Sequence, residues 1–162
     1  MAKVIEAIDP HAAWATMSVQ TLTRIFLYGA IVGLTSFLLY IGLDRLVFDP
    51  ILCREGAALA RCESKDEFAA GTAIVLGSLL GLFFLVRERV YRPILAILGV
   101  AVALWGVYAL LAQLPVVLAG LVATVLFALS YVLFSWLVQP TSLVVSIIGV
   151  VVISALARLA IG

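Results

Sequence analysis

Charge is what this chain has least of. Only 12% of its 162 residues are Asp, Glu, Lys or Arg, against 65% hydrophobic, and the formal net charge is +1. A soluble globular domain is roughly a quarter charged and half apolar, so the solvent for most of this sequence is lipid. The Lys and Arg residues are scattered between apolar runs. That excludes the clustered basic surface that nucleic acid requires.

Histidine occurs once, as His11, and the two methionines are Met1 and Met17. Haem held within a bilayer takes His or Met ligands placed inside the spans, and all three of these lie in the tail ahead of the first apolar run. Two cysteines and one distant histidine cannot close a zinc site. No metal or cofactor is expected. Residues 93–157 contain no charged side chain, so proton relays and ion pathways lack the ionisable groups they need at depth. Their serines have no histidine or lysine to activate them. No catalytic residue emerges, and the expectation is that the protein is not an enzyme.

Cysteine is nearly absent too: Cys53 and Cys62 bracket the stretch CREGAALARC. A membrane thiol oxidoreductase needs a close pair, usually Cys-x-x-Cys, and a second pair or a quinone to pass electrons on. The spacing here favours a structural disulfide. In one continuous helix the two thiols would lie about 13.5 Å apart along the axis, beyond the roughly 7 Å between Cα atoms that a disulfide allows. The segment must therefore fold back, with a bend at Gly56 or near Arg61. Free thiols, or a bridge between molecules, are the other readings.

What is present is long apolar sequence. About 20 apolar residues cross a hydrocarbon core of roughly 30 Å. The fold class expected is all-α: a polytopic integral membrane helical bundle of five transmembrane helices, at 25–43, 68–86, 93–112, 116–138 and 142–159. The uncharged stretch from residue 93 is too long for a single crossing, and Gln113-Leu114-Pro115 and Gln139-Pro140-Thr141-Ser142 mark its turns. These short connections make the last three helices antiparallel neighbours. Four helices is the alternative. The first apolar run is longer than a signal core and is followed by no small-x-small cleavage site, so it reads as a retained anchor. Ahead of it, residues 1–23 form an N-terminal segment, either a loose tail or a short interfacial helix around 12–20.

Orientation follows Lys and Arg in short loops. Arg87, Arg89 and Arg92 crowd a tight turn, whereas the loop 44–67 mixes its basic residues with six acids. The arginine turn and the N-terminus are thus placed in the cytoplasm and loop 44–67 on the exoplasmic side, where a disulfide persists. Asp49-Pro50 signals a turn in that loop, and Ser64-Lys65-Asp66-Glu67 is a capping box leading into the second helix.

The helices carry packing signals. Gly29-x-x-x-Gly33 and Gly77-x-x-x-Gly81 permit close backbone approach, inside the bundle or against another molecule. Phe127, Tyr131 and Phe134 form one ridge, suited to packing or lipid contact. Tyr28, Tyr91, Trp136, Trp105 and Tyr108 read as interfacial belt residues. Arg87, Arg89 and Arg92 fix topology or contact anionic headgroups or a partner.

The function expected is that of a non-catalytic accessory or scaffold subunit. It would act through helix packing and its stapled exoplasmic loop, on membrane lipids and a membrane-protein partner or its own copies. The alternative is a small oligomeric transporter or lipid-handling protein. Compact loops point to a bacterial inner membrane.

Overall fold

The computed structural model describes residues 18–53, 62, 64–88, 90, 92–138 and 143–161. Among them the secondary structure is helical throughout. The N-terminal segment up to residue 17, the bend expected at Gly56 or Arg61, Arg89, Tyr91 and the turn 139–142 lie outside the described residues.

Helix α1, Val19–Gly42, opens at Ser18, whose backbone is extended and whose Oγ accepts from the Thr21 N–H at 3.2 Å. This hydroxyl satisfies one of the free donors at the helix start. At its far end α1 does not stop at residue 43. It runs on as a π-helical segment, Leu43–Phe48, and a one-turn helix α2, Asp49–Leu52. The turn expected at Asp49-Pro50 is absent because Pro50 falls in the first turn of α2, where its missing N–H costs no hydrogen bond. The continuous rod Val19–Leu52 has 34 residues. At 1.5 Å per residue it is about 50 Å long.

Helix α3 is Lys65–Arg87. Ser64 stands at its N-cap with φ −87° and ψ 0°, helical values in place of the extended ones of a capping box. The run expected as one helix at 93–112 is broken in two: α4, Pro93–Ala103, and α5, Val107–Leu111. Between them Trp105 N–H bonds the Val102 carbonyl, tightening the last turn, and Gly106 takes φ 89°. Glycine adopts that left-handed angle without the steric cost of a Cβ, so the break falls at Gly106. Helix α6, Val116–Leu137, and helix α7, Leu143–Ile161, follow.

Helices α1, α3, α4 and α6 close a ring in which each touches the next, α6 returning to α1 with the most extensive contact in the molecule. Helix α7 lies outside the ring, mainly against α4. The interior is built from small residues and a few rings. Ala69, Ala73, Ala119, Ala123 and Ala128 are buried, as are Phe127, Tyr131 and Phe134. Bulky aliphatics point outward, among them Leu34 and Leu38 on α1, Leu79 and Phe83 on α3, and Leu121 and Leu129 on α6. Water does not tolerate so continuous an apolar exterior.

Three helical stretches, Val19–Leu52, Lys65–Arg87 and Val116–Leu137, are long and apolar enough to cross a membrane. Helix α4 and the described part of α7, Ser146–Leu156, are apolar but shorter. The two glycine pairs face inward. A Cβ on Gly29 would meet Ala128 Cα at 2.8 Å, and one on Gly33 would meet Phe127 Cβ at 2.7 Å, so both glycines of α1 serve its contact with α6. Gly77 receives the Ser36 hydroxyl of α1, and Gly81 the Tyr131 hydroxyl of α6. Phe127 and Tyr131 of α6 thus fill the groove that glycines open on α1 and α3, while Phe134 packs on Gly99 of α4.

Candidate functional site

The polar chemistry of the described chain gathers at the two ends of the ring. At one end the overlong first rod is fastened to the start of α3. Cys53 and Cys62 form a disulfide with their Cα atoms 4.8 Å apart. Lys65 Nζ donates to Asp49 Oδ1 at 2.9 Å and stands 3.6 Å from Asp44 Oδ1, an ion pair too long for a hydrogen bond. The rings of Phe48 and Phe68 stack with centroids 6.4 Å apart. The π-helical segment turns Asp44 toward α3: its side chain is only 20% exposed, and Oδ1 is buried. Inserted residues of this kind re-aim a helix face and recur at functional sites.

Beneath this clasp, between α1, α3 and α5, lies a cavity of about 500 Å³ whose lining includes Tyr40, Asp66, Glu67, Gly71, Trp105 and Tyr108. The break at Gly106 shapes it, because Gly106 itself is in the wall. Trp105 reaches across to Gly71 of α3 with ring carbons 3.7 and 3.9 Å from where a Cβ would stand. Tyr40 and Tyr108 stack, centroids 4.8 Å apart and planes 13° from parallel. Tyr108 is fully buried, which corrects its expected place in an interfacial belt: the left-handed turn at Gly106 swings α5 so that the ring enters the core. Its hydroxyl is buried and turned to the Ser36 hydroxyl of α1. Trp105, by contrast, stays 47% exposed.

At the opposite end Tyr28 donates to Glu88 Oε1 at 3.1 Å and stacks on Phe84 at 4.7 Å, with Arg24 Nη1 3.8 Å from Glu88 Oε2. Tyr28 is therefore engaged between helices and is not simply an interfacial anchor. Of the three arginines of the turn, Arg87 is exposed at the end of α3 and Arg89 is outside the described residues. Arg92 adopts left-handed angles, φ 57°, and its Nη1 donates to Ser146 Oγ of α7 at 3.4 Å. The cluster that looks uniform in sequence is thus divided, with Arg92 assigned to the α4–α7 contact.

The structure brings Cys53 and Cys62 together, and sets Gly29, Gly33, Gly77 and Gly81 inside the ring. The cavity residues escaped the sequence reading. Two signals point to them in hindsight: acids flank the apolar runs at one end, and a lone glycine, Gly106, interrupts an apolar helix.

No family model, no curated protein and no solved structure matches this chain. Its class rests on the helices themselves: the described residues are helical, three stretches among them are fit by length and composition to cross a membrane, and a disulfide joins the ends of the first two.

Proposed function

We propose that the chain is a polytopic integral membrane protein with five crossings, the fourth and fifth being α6 and α7 and the third the broken pair α4 and α5. Its N-terminus is cytoplasmic and its clasped end faces the exoplasmic side of a bacterial inner membrane. In this reading it is a non-catalytic accessory or scaffold subunit that presents the clasped end to a membrane-protein partner or to a second copy. Lipid covers the outward leucines and phenylalanines, which exceed what water would tolerate.

The observation that carries this reading is the clasp on a rod of about 50 Å, which exceeds the roughly 30 Å hydrocarbon core by some four turns. A loop that only connects two crossings needs no such fastening. Here the emergent turns are held by a disulfide, two ion pairs to one lysine and a ring contact, which gives an ordered protein surface outside the hydrocarbon. An oxidising compartment keeps the disulfide closed.

The test is recovery of the protein at native expression in a mild detergent. A stoichiometric membrane-protein partner or a defined homo-oligomer is expected, lost when Cys53 and Cys62 are both changed to Ser while the helical content stays. A clean monomer would overturn the proposal.

A further inference from the structure

We infer that the segment ahead of α1, residues 12–17, folds back at Ser18 and seats Trp14 and Met17 in the groove between α1 and α6. The groove holds about 500 Å³. Its wall joins Leu22, in the first turn of α1, to Leu126, Leu129, Ser130, Leu133 and Trp136 of α6, and of these Leu129, Leu133 and Trp136 are exposed. It lies at the end of the ring opposite the clasp, where the chain enters α1. There the last turns of α6 stand beside the first of α1, because the two helices run antiparallel: Gly29 meets Ala128 and Tyr131, while Gly33 meets Phe127 and Thr124.

The start of α1 aims the chain at this groove. Ser18 is the N-cap, with φ −63° and ψ 144°, an extended joint at which the preceding residues leave the helix axis. Met17 therefore stands just before the cap and Leu22 is the fourth helical residue, the two places that a hydrophobic staple brings into contact to fix the entry of the chain. Leu22 is itself in the groove wall, so the staple sets Met17 over the groove. Trp14 lies four positions before Ser18 and Leu22 four after it. A chain turned back at Ser18 brings the indole alongside Leu22 and Trp136.

Composition selects the same occupant. Residues 12–17, AAWATM, carry no charge, and in a helical turn Trp14 and Met17, three positions apart, share a face. Lys3, Glu6 and Asp9 come earlier, and the turn signal Asp9-Pro10 lets the chain leave toward water with them. An acyl chain or a partner's helix must arrive from elsewhere. Trp14 is held a few residues away, and so short a tether gives an effective concentration of roughly millimolar.

The experiment places cysteine pairs in the full-length chain, with the native disulfide left closed, in vesicles of phosphatidylcholine and phosphatidylglycerol. Ala13→Cys is combined either with Leu133→Cys in the groove or with Val86→Cys near the end of α3, outside the groove wall. Leu133 and Val86 are both exposed, so neither change disturbs the core. A short, membrane-permeant bis-maleimide is added, and the product within one chain is timed by peptide mapping. The pair 13–133 should cross-link about tenfold or more faster than the pair 13–86. Trp14→Ala should remove that advantage, since the indole supplies most of the apolar contact. Equal rates would leave the groove to lipid, and product formed only between chains would give it to a second copy. An advantage that survives Trp14→Ala would show that the indole does not seat there. Each of these three results overturns the inference.

Discussion

Gly33 stands so close to Phe127 that a Cβ on the glycine would lie 2.7 Å from the phenylalanine Cβ and 3.1 Å from Thr124 Cα. Neither neighbour is the free end of a flexible side chain, so a methyl group there must push α1 off α6. Gly33→Ala is expected to destabilise by about 1–2 kcal/mol, the overpacking cost less the usual helix gain of alanine. Gly42 is the control: nothing lies within 4 Å of where its Cβ would be, and its backbone angles are helical. Gly42→Ala should stabilise by about 0.5–1 kcal/mol. Thermal melting of both variants in one detergent checks the opposite signs.

The disulfide closes a short loop, with Cys53 and Cys62 nine positions apart. Chain entropy assigns it about 2–3 kcal/mol. Reduction should lower the melting temperature of the purified protein accordingly. The compartment is read separately: a membrane-impermeant maleimide should label the two cysteines in intact cells only after reduction. Labelling without reduction, chiefly in inside-out vesicles, would reverse the proposed topology.

At the other end, Glu88 holds two partners of unequal worth. Tyr28 donates to it at 3.1 Å, while Arg24, with its side chain 55% exposed, comes only within 3.8 Å. Tyr28→Phe removes a hydrogen bond to a charged group and is expected to cost about 1.5 kcal/mol or more. Arg24→Ala should cost less than about 1 kcal/mol, since water screens an exposed pair. A double-mutant cycle with Glu88→Gln separates the two contributions; a larger coupling for Arg24 than for Tyr28 would contradict this ranking.

Gly106 carries the break between α4 and α5 at φ 89°. A Cβ at that angle costs about 1–2 kcal/mol. Gly106→Ala should lower the melting temperature by a corresponding amount, and it should alter Trp105 emission because the neighbouring indole lines the same cavity. Unchanged stability and emission would show that the break is not confined by the glycine.

The helical nature of the described residues and the fitness of the longest helices to cross a membrane were legible in composition, because a backbone without water must satisfy its own hydrogen bonds and long apolar runs leave helix as the solution. The run 116–138 closely matches α6, and 68–86 lies inside α3, since both stretches are apolar, uninterrupted and bounded by polar residues or proline. Legibility failed where one residue decides the geometry. Pro50 reads as a stop yet is accommodated in the first turn of α2, and Gly106 reads as an ordinary glycine yet breaks the helix. Local sequence gives each residue more than one permitted conformation at those points, and packing selects among them.

By itself, then, the sequence determined that the chain folds as apolar helices, that two cysteines nine positions apart can join only if the chain turns back, and that small residues make some helix faces open to close approach. Tertiary structure decided which faces meet. Period and composition tell that Gly29 and Gly33 share a face with room beside it, but not that Phe127 and Tyr131, about a hundred residues on, fill that room. Likewise the acids at 66 and 67 and the rings at 40, 105 and 108 are unrelated in sequence. They become one cavity only when α1, α3 and α5 are brought side by side, because contacts between distant segments depend on the shape of the whole core, which no local pattern encodes.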